Sequence, residues 1–412
     1  MISTLTQSMN AIVSAVQFIV IGRMIDAKGL GEWSAVMSLV TIIAGFMNLG
    51  IYVPVGREIA RRPERTSKLL GVALSIMLGI VIPLMILLSV MGGWLVGYQG
   101  LLLFAVFLAA VNGSLRSVAT IFSSATQALS HFEWDFLLRS IGRITGLGLL
   151  IVFLIYRPGV NSAIIANILS WSIITTLFLL YFKKNIGLIK PKFDWEIGKE
   201  LVLEAIPITL ASAMAAIGVR SDNLILERTV SATDAGIYTA AYSFYLLGAT
   251  FLFAMTVGLF PSFSRLNKNT LRQKTRLGQS FGRLYIKSLV GIMGIGVLGT
   301  LLSWLIGGKL LILIYGDQYA NATKFLSLLV IGLPFVAASR TSLQALNASG
   351  NQMKSLIAFS IGAVFNLVTN LVFIPTYGAT AASIIAVMSE ILIASIIISL
   401  LYREMKMVRR RL

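Results

Sequence analysis

The sequence predicts an all-α integral membrane protein of about 12 transmembrane helices, arranged as two parallel six-helix bundles around a central cavity. Three observations carry this. The chain is 57% hydrophobic and only 12% charged over 412 residues, with a mean hydropathy of +0.87. Its apolar runs repeat at the length of about 20 residues that a helix needs to cross the hydrocarbon core. Short signatures also recur in order between the two halves of the chain. A β-barrel is excluded, because alternating ten-residue strands are absent, and lipid-exposed backbone must satisfy its own polar groups.

The expected spans are 3–22, 33–55, 69–91, 101–128, 137–156, 160–182, 201–226, 235–260, 284–306, 323–346, 355–375 and 379–402. The first, "STLTQSMNAIVSAVQFIVIG", lacks a basic flank and a small-residue cleavage site, so it reads as a retained helix rather than a signal peptide. Orientation follows from Lys and Arg. One set of loops with the adjoining span ends and the C-terminal tail hold 25 of the 34, the other loops and span ends hold 6, and Arg116, Arg220 and Arg340 lie deeper within spans. Basic loops stay on the inner side, so both termini are expected to be cytoplasmic in a cell (cytoplasmic or inner) membrane. The net charge of +18 is accounted for by this topology and by anionic headgroups; no nucleic-acid partner is implied. With no cysteine and a single histidine, His131, disulfides, thiolate metal sites and histidine clusters are excluded.

"GLGEWSAVMSLV" (29–40) is similar to "DAGIYTAAYSFYL" (234–246), placing Gly31 on Gly236 and Trp33 on Tyr238. "TQALSHFEWDF" (126–136) is similar to "LQALNASGNQM" (343–353), and Ile164-Ile165-Ala166 matches Ile384-Ile385-Ala386. Six helices followed by six in the same orientation form a parallel repeat. The expected organisation is an N-terminal bundle over 1–183, a cytoplasmic linker over 184–200, a second bundle over 201–402, and a basic tail over 403–412. Alternating access by rocking of the halves follows as the expected mechanism.

Polar side chains fall in stripes on these helices. Asn112, Arg116, Thr120, Ser123 and Gln127 are spaced by three and four, which is one helix face. Gln7, Asn10, Ser14 and Gln17 repeat this in the first helix, and Arg340, Gln344 and Asn347 do so in the tenth. Asn366 and Asn370 stand one turn apart in the eleventh, and Tyr238, Tyr242 and Tyr245 share a face in the eighth. An arginine within a span faces a wet cavity or a partner; packing against backbone carbonyls is the alternative for Arg116. Tyrosine faces suit sugar rings, with interfacial anchoring as the alternative for Tyr238. Arg220 and Asp222 are two apart in "GVRSDNLILER", so they do not pair with each other on a helix, and Pro207 interrupts that helix. Glu390 is either an ion-coupling group or a salt-bridge partner of Arg340, and Asp222 is the other ion-coupling candidate. The spans contain no acid in the first half. The pocket is therefore expected to be net positive and to suit a phosphorylated or otherwise acidic substrate, since arginine forks bind phosphate. No nucleotide-binding glycine loop occurs, and no cofactor is expected.

The stretches "GRMIDAKGLGEWSAVMSLVTIIAGFMNLGIYVPVGREIAR", "SDNLILERTVSATDAGIYTAAYSF", "LFPSFSRL", "YGDQYANATKFLSLLVIGLPF" and "PTYGATAASIIAVMSE" resemble the lipid-linked oligosaccharide flippases. These are the O-antigen and polysaccharide-export branch of the MATE-like multidrug/oligosaccharidyl-lipid/polysaccharide superfamily. The resemblance covers nearly the whole chain and implies a twelve-helix, two-lobed flippase. Its substrate would be a polyprenyl-(pyro)phosphate-linked glycan for O-antigen or exopolysaccharide assembly. Membrane lipids and glycan polymerase or assembly proteins would be its other partners. It also implies that Arg116, Arg220, Asp222 and Arg340 match the family's cavity cations and helix-seven acid. The peptidoglycan-precursor branch usually has two more helices and an arginine–aspartate pair in helix one, and this sequence has neither. A MATE-like multidrug or small-molecule antiporter would call for acids in the first half. A glycan polymerase would carry its catalysis on long outer loops, which are short here, so an enzyme is not expected. A structural scaffold has no use for charges within its spans.

Overall fold

The computed structural model describes the backbone of residues 2–47, 50–272 and 277–410, and the side chains of residue 9 and residues 12–47, 50–266 and 281–404. No strand occurs among the described residues. Two compact units divide the chain, Met1–Arg228 and Thr229–Leu412.

The first unit contains α1 (Ile2–Met24), α2 (Asp26–Met47), α3 (Tyr52–Arg61), α4 (Thr66–Ile76), α5 (Ile82–Val96), α6 (Gly100–Ala128), α7 (Phe132–Tyr156), α8 (Val160–Asn185) and α9 (Trp195–Thr229). One π turn, Met77–Val81, joins α4 to α5 as a single long span. The second helix differs from its expected span of 33–55. Asp26, at φ 66°, accepts a hydrogen bond from the Gly29 amide on Oδ1 at 2.8 Å and so starts α2 seven residues earlier. That is helix capping by a short acidic side chain. Gly50, at φ 53°, then breaks the chain, and α3 follows as a separate amphipathic helix. Pro54, Val55 and Ile59 of α3 are buried, and the Ser124 hydroxyl donates to the Tyr52 carbonyl at 2.6 Å, fixing α3 to α6.

Close packing holds this unit. A Cβ at Gly142 would collide with Ile174, and one at Gly146 with Ser170; the Ser170 hydroxyl donates to the Gly142 carbonyl at 2.9 Å. Small residues one turn apart let α7 and α8 touch backbone to backbone. Phe122 stacks against Phe178 and Phe182 at 6.4 and 5.5 Å, tying α6 to α8. The segment between α8 and α9 lies on α4. The Lys192 amide donates to the Gly71 carbonyl at 3.2 Å, and Lys68 pairs with Asp194 at 2.8 Å. α9 runs on through Pro207.

The second unit contains α10 (Ala232–Val257), α11 (Phe260–Arg272), α12 (Leu277–Leu302), α13 (Gly308–Tyr315), α14 (Ala322–Leu329), α15 (Leu333–Ala348) and α16 (Gln352–Arg410). The Ser231 side chain caps α10 through the Asp234 amide. A π turn, Ser303–Gly307, joins α12 to α13, as another does in the first unit. Pro334 has no N–H to offer the Val330 carbonyl, and the Thr300 hydroxyl donates to that carbonyl instead at 2.6 Å. α16 turns at Gly378 (φ 59°, ψ −145°), three residues after Pro375, so it is two helical arms.

Ten helical segments among the described residues are long and apolar enough to cross a membrane, with Ile12–Met24 as a shorter apolar helix. Counting α1, and the two arms of α16 separately, accounts for the twelve expected spans. The chain is a multi-pass membrane protein.

The repeat is visible inside each unit. After α6 the chain turns through Ser130 (φ 64°), with the His131 amide donating to Thr126 at 3.0 Å. After α15 it turns through Gly350 (φ 81°), with the Asn351 amide donating to Leu346 at 3.2 Å. Ser130 thus corresponds to Gly350 at the same separation as Ile164 to Ile384. The expected match of Gln127 with Gln344 is out of register by nearly one helical turn; Gln127 corresponds to Asn347.

Candidate functional site

A cavity of about 260 Å³ lies within the first unit, walled by α2, the Gly50–Tyr52 turn, Met77 of the π turn, α6 and α9. Asn112, Arg116 and Thr120 line it, as the polar stripe of α6 predicts. Its hydroxyls are largely turned back on their own helices. Thr120 donates to the Arg116 carbonyl, Ser117 to Gly113 and Thr41 to Met37. Arg116, an exposed residue and, among the described residues, the one charged residue lining this cavity, stands there with Tyr52, Ser212 and Asn112, whose Oδ1 is buried with no hydrogen-bond partner.

Arg116 has no carboxylate within salt-bridge distance among the described residues. Its charged neighbours are Arg220 and Arg139, both cations. Its Cζ stands 6.0 Å from the centre of the Trp171 ring, and the Cζ of Arg143 stands 5.8 Å from the same ring. An indole face attracts cations, so Trp171 gathers two guanidinium groups that would otherwise repel. Arg143 is 6% exposed, donates to Ser14 Oγ at 2.9 Å, and keeps a buried Nε without a partner. Sequence reasoning missed Trp171, which looked like one apolar residue among many in α8.

Gln127 does not line this cavity. Its amide donates to Asp135 Oδ2 at 2.8 Å, the Ser123 hydroxyl donates to Asp135 Oδ1 at 2.6 Å, and Arg139 donates to Ser123 Oγ at 3.0 Å. The lower end of the stripe is therefore a junction between α6 and α7. Asp135 is 2% exposed, which corrects the expectation that the first half holds no buried acid. The expected span began at 137 and left this residue in a loop. In the first helix, Gln7 and Asn10 lie outside the described side chains, while Gln17 donates to Asn167 at 3.3 Å.

On α9, Ser212 and Ala216 line the cavity, and Arg220, half-buried, follows one turn later on the same face. Asp222 is buried off that face, and its Oδ1 accepts from the Asn223 amide at 2.8 Å.

In the second unit, Arg340 pairs with Glu390 at 3.2 Å, the Ser339 hydroxyl donates to the other Glu390 oxygen at 3.2 Å, and the Arg340 guanidinium lies 4.8 Å from the Phe359 ring centre. The salt-bridge reading of Glu390 describes this geometry. Gln344 is buried. Asn366 donates to Ser389 at 3.1 Å and so joins the arms of α16, while Asn370, on the same arm as Asn366, donates to it at 2.9 Å. Tyr242 is half-buried, with its ring centre 5.8 Å from that of Tyr238 and 5.6 Å from that of Tyr245. Tyr238 is fully buried, which removes the interfacial-anchor reading. No group of three or more potential metal ligands occurs among the described residues.

Comparison with known proteins matches residues 1–267, which include every residue lining the cavity, to the family described as polysaccharide biosynthesis protein. The capsular polysaccharide biosynthesis protein CapF of Staphylococcus aureus is 24% identical over 269 residues, covering 61% of this chain and 63% of that relative's length. Among solved structures, the lipid II flippase MurJ in an inward closed conformation is similar with a TM-score of 0.76, 16% identity, and coverage of 96% of this chain and 86% of that one. An inward-facing multidrug resistance MATE family transporter of the MOP superfamily gives a TM-score of 0.74 and 16% identity, with 96% of each chain covered. A MOP superfamily transporter from Pyrococcus furiosus, described as having a binding pocket of reverse polarity, gives 0.64 and 15%, with coverage of 98% and 95%. The fold is that of these transporters, and the chain belongs to the polysaccharide biosynthesis protein family.

Proposed function

We propose that this chain flips a polyprenyl-(pyro)phosphate-linked oligosaccharide from the inner to the outer leaflet by alternating access, for O-antigen or exopolysaccharide assembly. The observation that carries the reading is Arg116: a permanent cation on a cavity wall, with other arginines and no carboxylate near it. An intramembrane charge is retained at a cost, and a guanidinium held against an indole face keeps its N–H fork for an anion. Family membership and the flippase fold support the glycan-linked substrate. The substrate is moved and not transformed, so the chain acts as a transporter and not an enzyme. An anion moving outward is assisted by the inside-negative potential, by about 2.3 kcal/mol per charge per 100 mV.

On this reading the basic end faces the cytoplasm, with both termini there. Asp222 and Glu390 remain the candidates for ion coupling. Replacing either by its amide is expected to abolish the dependence of flipping on a pH or sodium gradient if it carries the ion.

The competing reading is a MATE-like antiporter of small organic ions. Buried Asp135 favours it, because a cation pump needs an acid in the first lobe. Proteoliposomes separate the two. Flipping of a fluorescent polyprenyl-diphosphate oligosaccharide supports the flippase. Export of an organic cation under an ion gradient, without glycolipid flipping, supports the antiporter.

A further inference from the structure

A second recess lies in the first unit, at its basic end. It is a cleft of about 200 Å³ between α3, the Pro63–Arg65 turn and the start of α9. Arg57, Arg61, Arg62, Arg65 and Lys68 line it, together with the acids Glu58, Glu200 and Glu204. Five cations against these three carboxylates and Asp194, which pairs with Lys68, leave an excess of one positive charge. Arg57 pairs with Glu204 at 3.1 Å across the cleft, and Glu58 is shared between Arg61 and Arg62 at 3.8 and 3.5 Å. Arg65 has no acidic partner among the described residues. The apolar face of α3 is spent on the protein core, so its arginines form the wall of a recess in the protein. They do not belong to a helix floating in the interface.

The cleft and the Arg116 cavity share their walls. Tyr52 lines the cavity and Pro54 lines the cleft; Ser212 lines the cavity and Glu204, on the same helix, lines the cleft. Eight residues of helix separate the latter pair, a rise of about 12 Å. The paired arginines are half to two-thirds exposed, so an anion reaches them without unpacking the core, and charge-assisted bidentate contacts favour phosphate oxygens.

The geometry points to this cleft as a loading site that captures the diphosphate of a polyprenyl-linked substrate at the inner leaflet before it rises along α9 to Arg116. The net positive charge of the cleft suits a diphosphate, and the shared α3 and α9 walls place it about 12 Å from the Arg116 cavity along α9. This inference rests on the proposed flippase reading for its substrate. Its test is a binding measurement that requires no flipping.

The full chain carrying Arg116→Gln, in phosphatidylcholine nanodiscs, is titrated with a sugar-free polyprenyl diphosphate, with and without Arg61→Gln/Arg65→Gln. Saturable binding to Arg116→Gln, weakened about tenfold or more by the added pair and restored by Arg61→Lys/Arg65→Lys, is the expected result. No binding to Arg116→Gln, or binding indifferent to the pair, overturns the site. Displacement by equal phosphatidylglycerol reduces it to ordinary anionic-lipid adsorption, and displacement by equal inorganic diphosphate removes the lipid from the proposal. Normal cleft binding together with a wild-type chain that flips nothing overturns the flippase reading alone.

Discussion

Arg116 and Arg340 are both arginines inside membrane-spanning helices, one in each unit, and their surroundings are opposite. Arg340 is closed off by Glu390, Ser339 and the Phe359 ring. Arg116 faces open space, with an indole behind it and only cations as charged neighbours. The same residue type serves structure in one unit and is left available for a ligand in the other. Both units spend polar contacts on their helix junctions: the second uses Arg340–Glu390 and Asn366–Ser389, and the first uses Gln127–Asp135 and Gln17–Asn167 beside small residues and stacked aromatics, as at Gly142, Gly146 and Phe122.

The largest stability effect expected from this contrast is at Glu390. Glu390→Gln strands Arg340 without its counter-charge and is expected to cost about 2–3 kcal/mol, at or below the range for fully buried pairs because both side chains are half-buried. Arg116→Gln removes a charge that has no partner, and is expected to stay within about 1 kcal/mol of wild type. Thermal unfolding in detergent compares the two, and equal losses would erase the contrast. Next in size is Gly146→Leu, which overpacks the α7–α8 contact and is expected to cost about 2 kcal/mol. The same unfolding assay reads it, and it tests whether close packing holds the first unit.

A smaller effect is expected at Trp171. Trp171→Phe keeps an aromatic side chain in this buried position but weakens the cation–π face, worth about 1 kcal/mol, and so should weaken diphosphate binding up to about fivefold. Titration of the purified chain reads that affinity. The smallest concerns the connecting segment on α4. The hydrogen bond from Lys68, with help from the Ile197 amide, holds the Asp194 carboxyl below its ordinary value of 3.8. A depressed folded-state value means that this contribution is present above the ordinary value and is lost as pH falls through the depressed one. Proteolysis of the segment should therefore accelerate only in strong acid in wild type, and should already be faster at neutral pH in Lys68→Ala.

The span pattern was legible in the sequence because length and hydropathy are properties of consecutive residues. The break between the arms of α16 was written in "PTYG", where Pro375 and Gly378 act locally. The start of α2 was not, because Asp26-Ala-Lys reads as a polar loop until the Asp26 side chain is seen capping the Gly29 amide. The stripe on α6 was found from spacing alone, but spacing cannot say where a cavity ends. Asn112 and Arg116 line it, while Gln127, on the same face, bonds to Asp135 on the next helix. Arg340 and Glu390 are fifty residues apart; the sequence allows their pairing as one of two readings of Glu390, and the fold brings the two side chains to 3.2 Å. Trp171 carried no polar signal, since its role depends on two arginines from two other helices.

The central claim, that Arg116 is kept open for an anionic headgroup, is tested most directly by flipping of a fluorescent polyprenyl-diphosphate oligosaccharide in proteoliposomes. Wild type is compared with Arg116→Gln and Arg116→Lys, each shown to be monodisperse and equally stable. The account predicts that Arg116→Gln loses flipping by about a hundredfold or more, as expected for a lost bidentate charge-assisted contact, and that Arg116→Lys retains part of it. Wild-type flipping by Arg116→Gln would contradict the account and make Arg116 a packing residue.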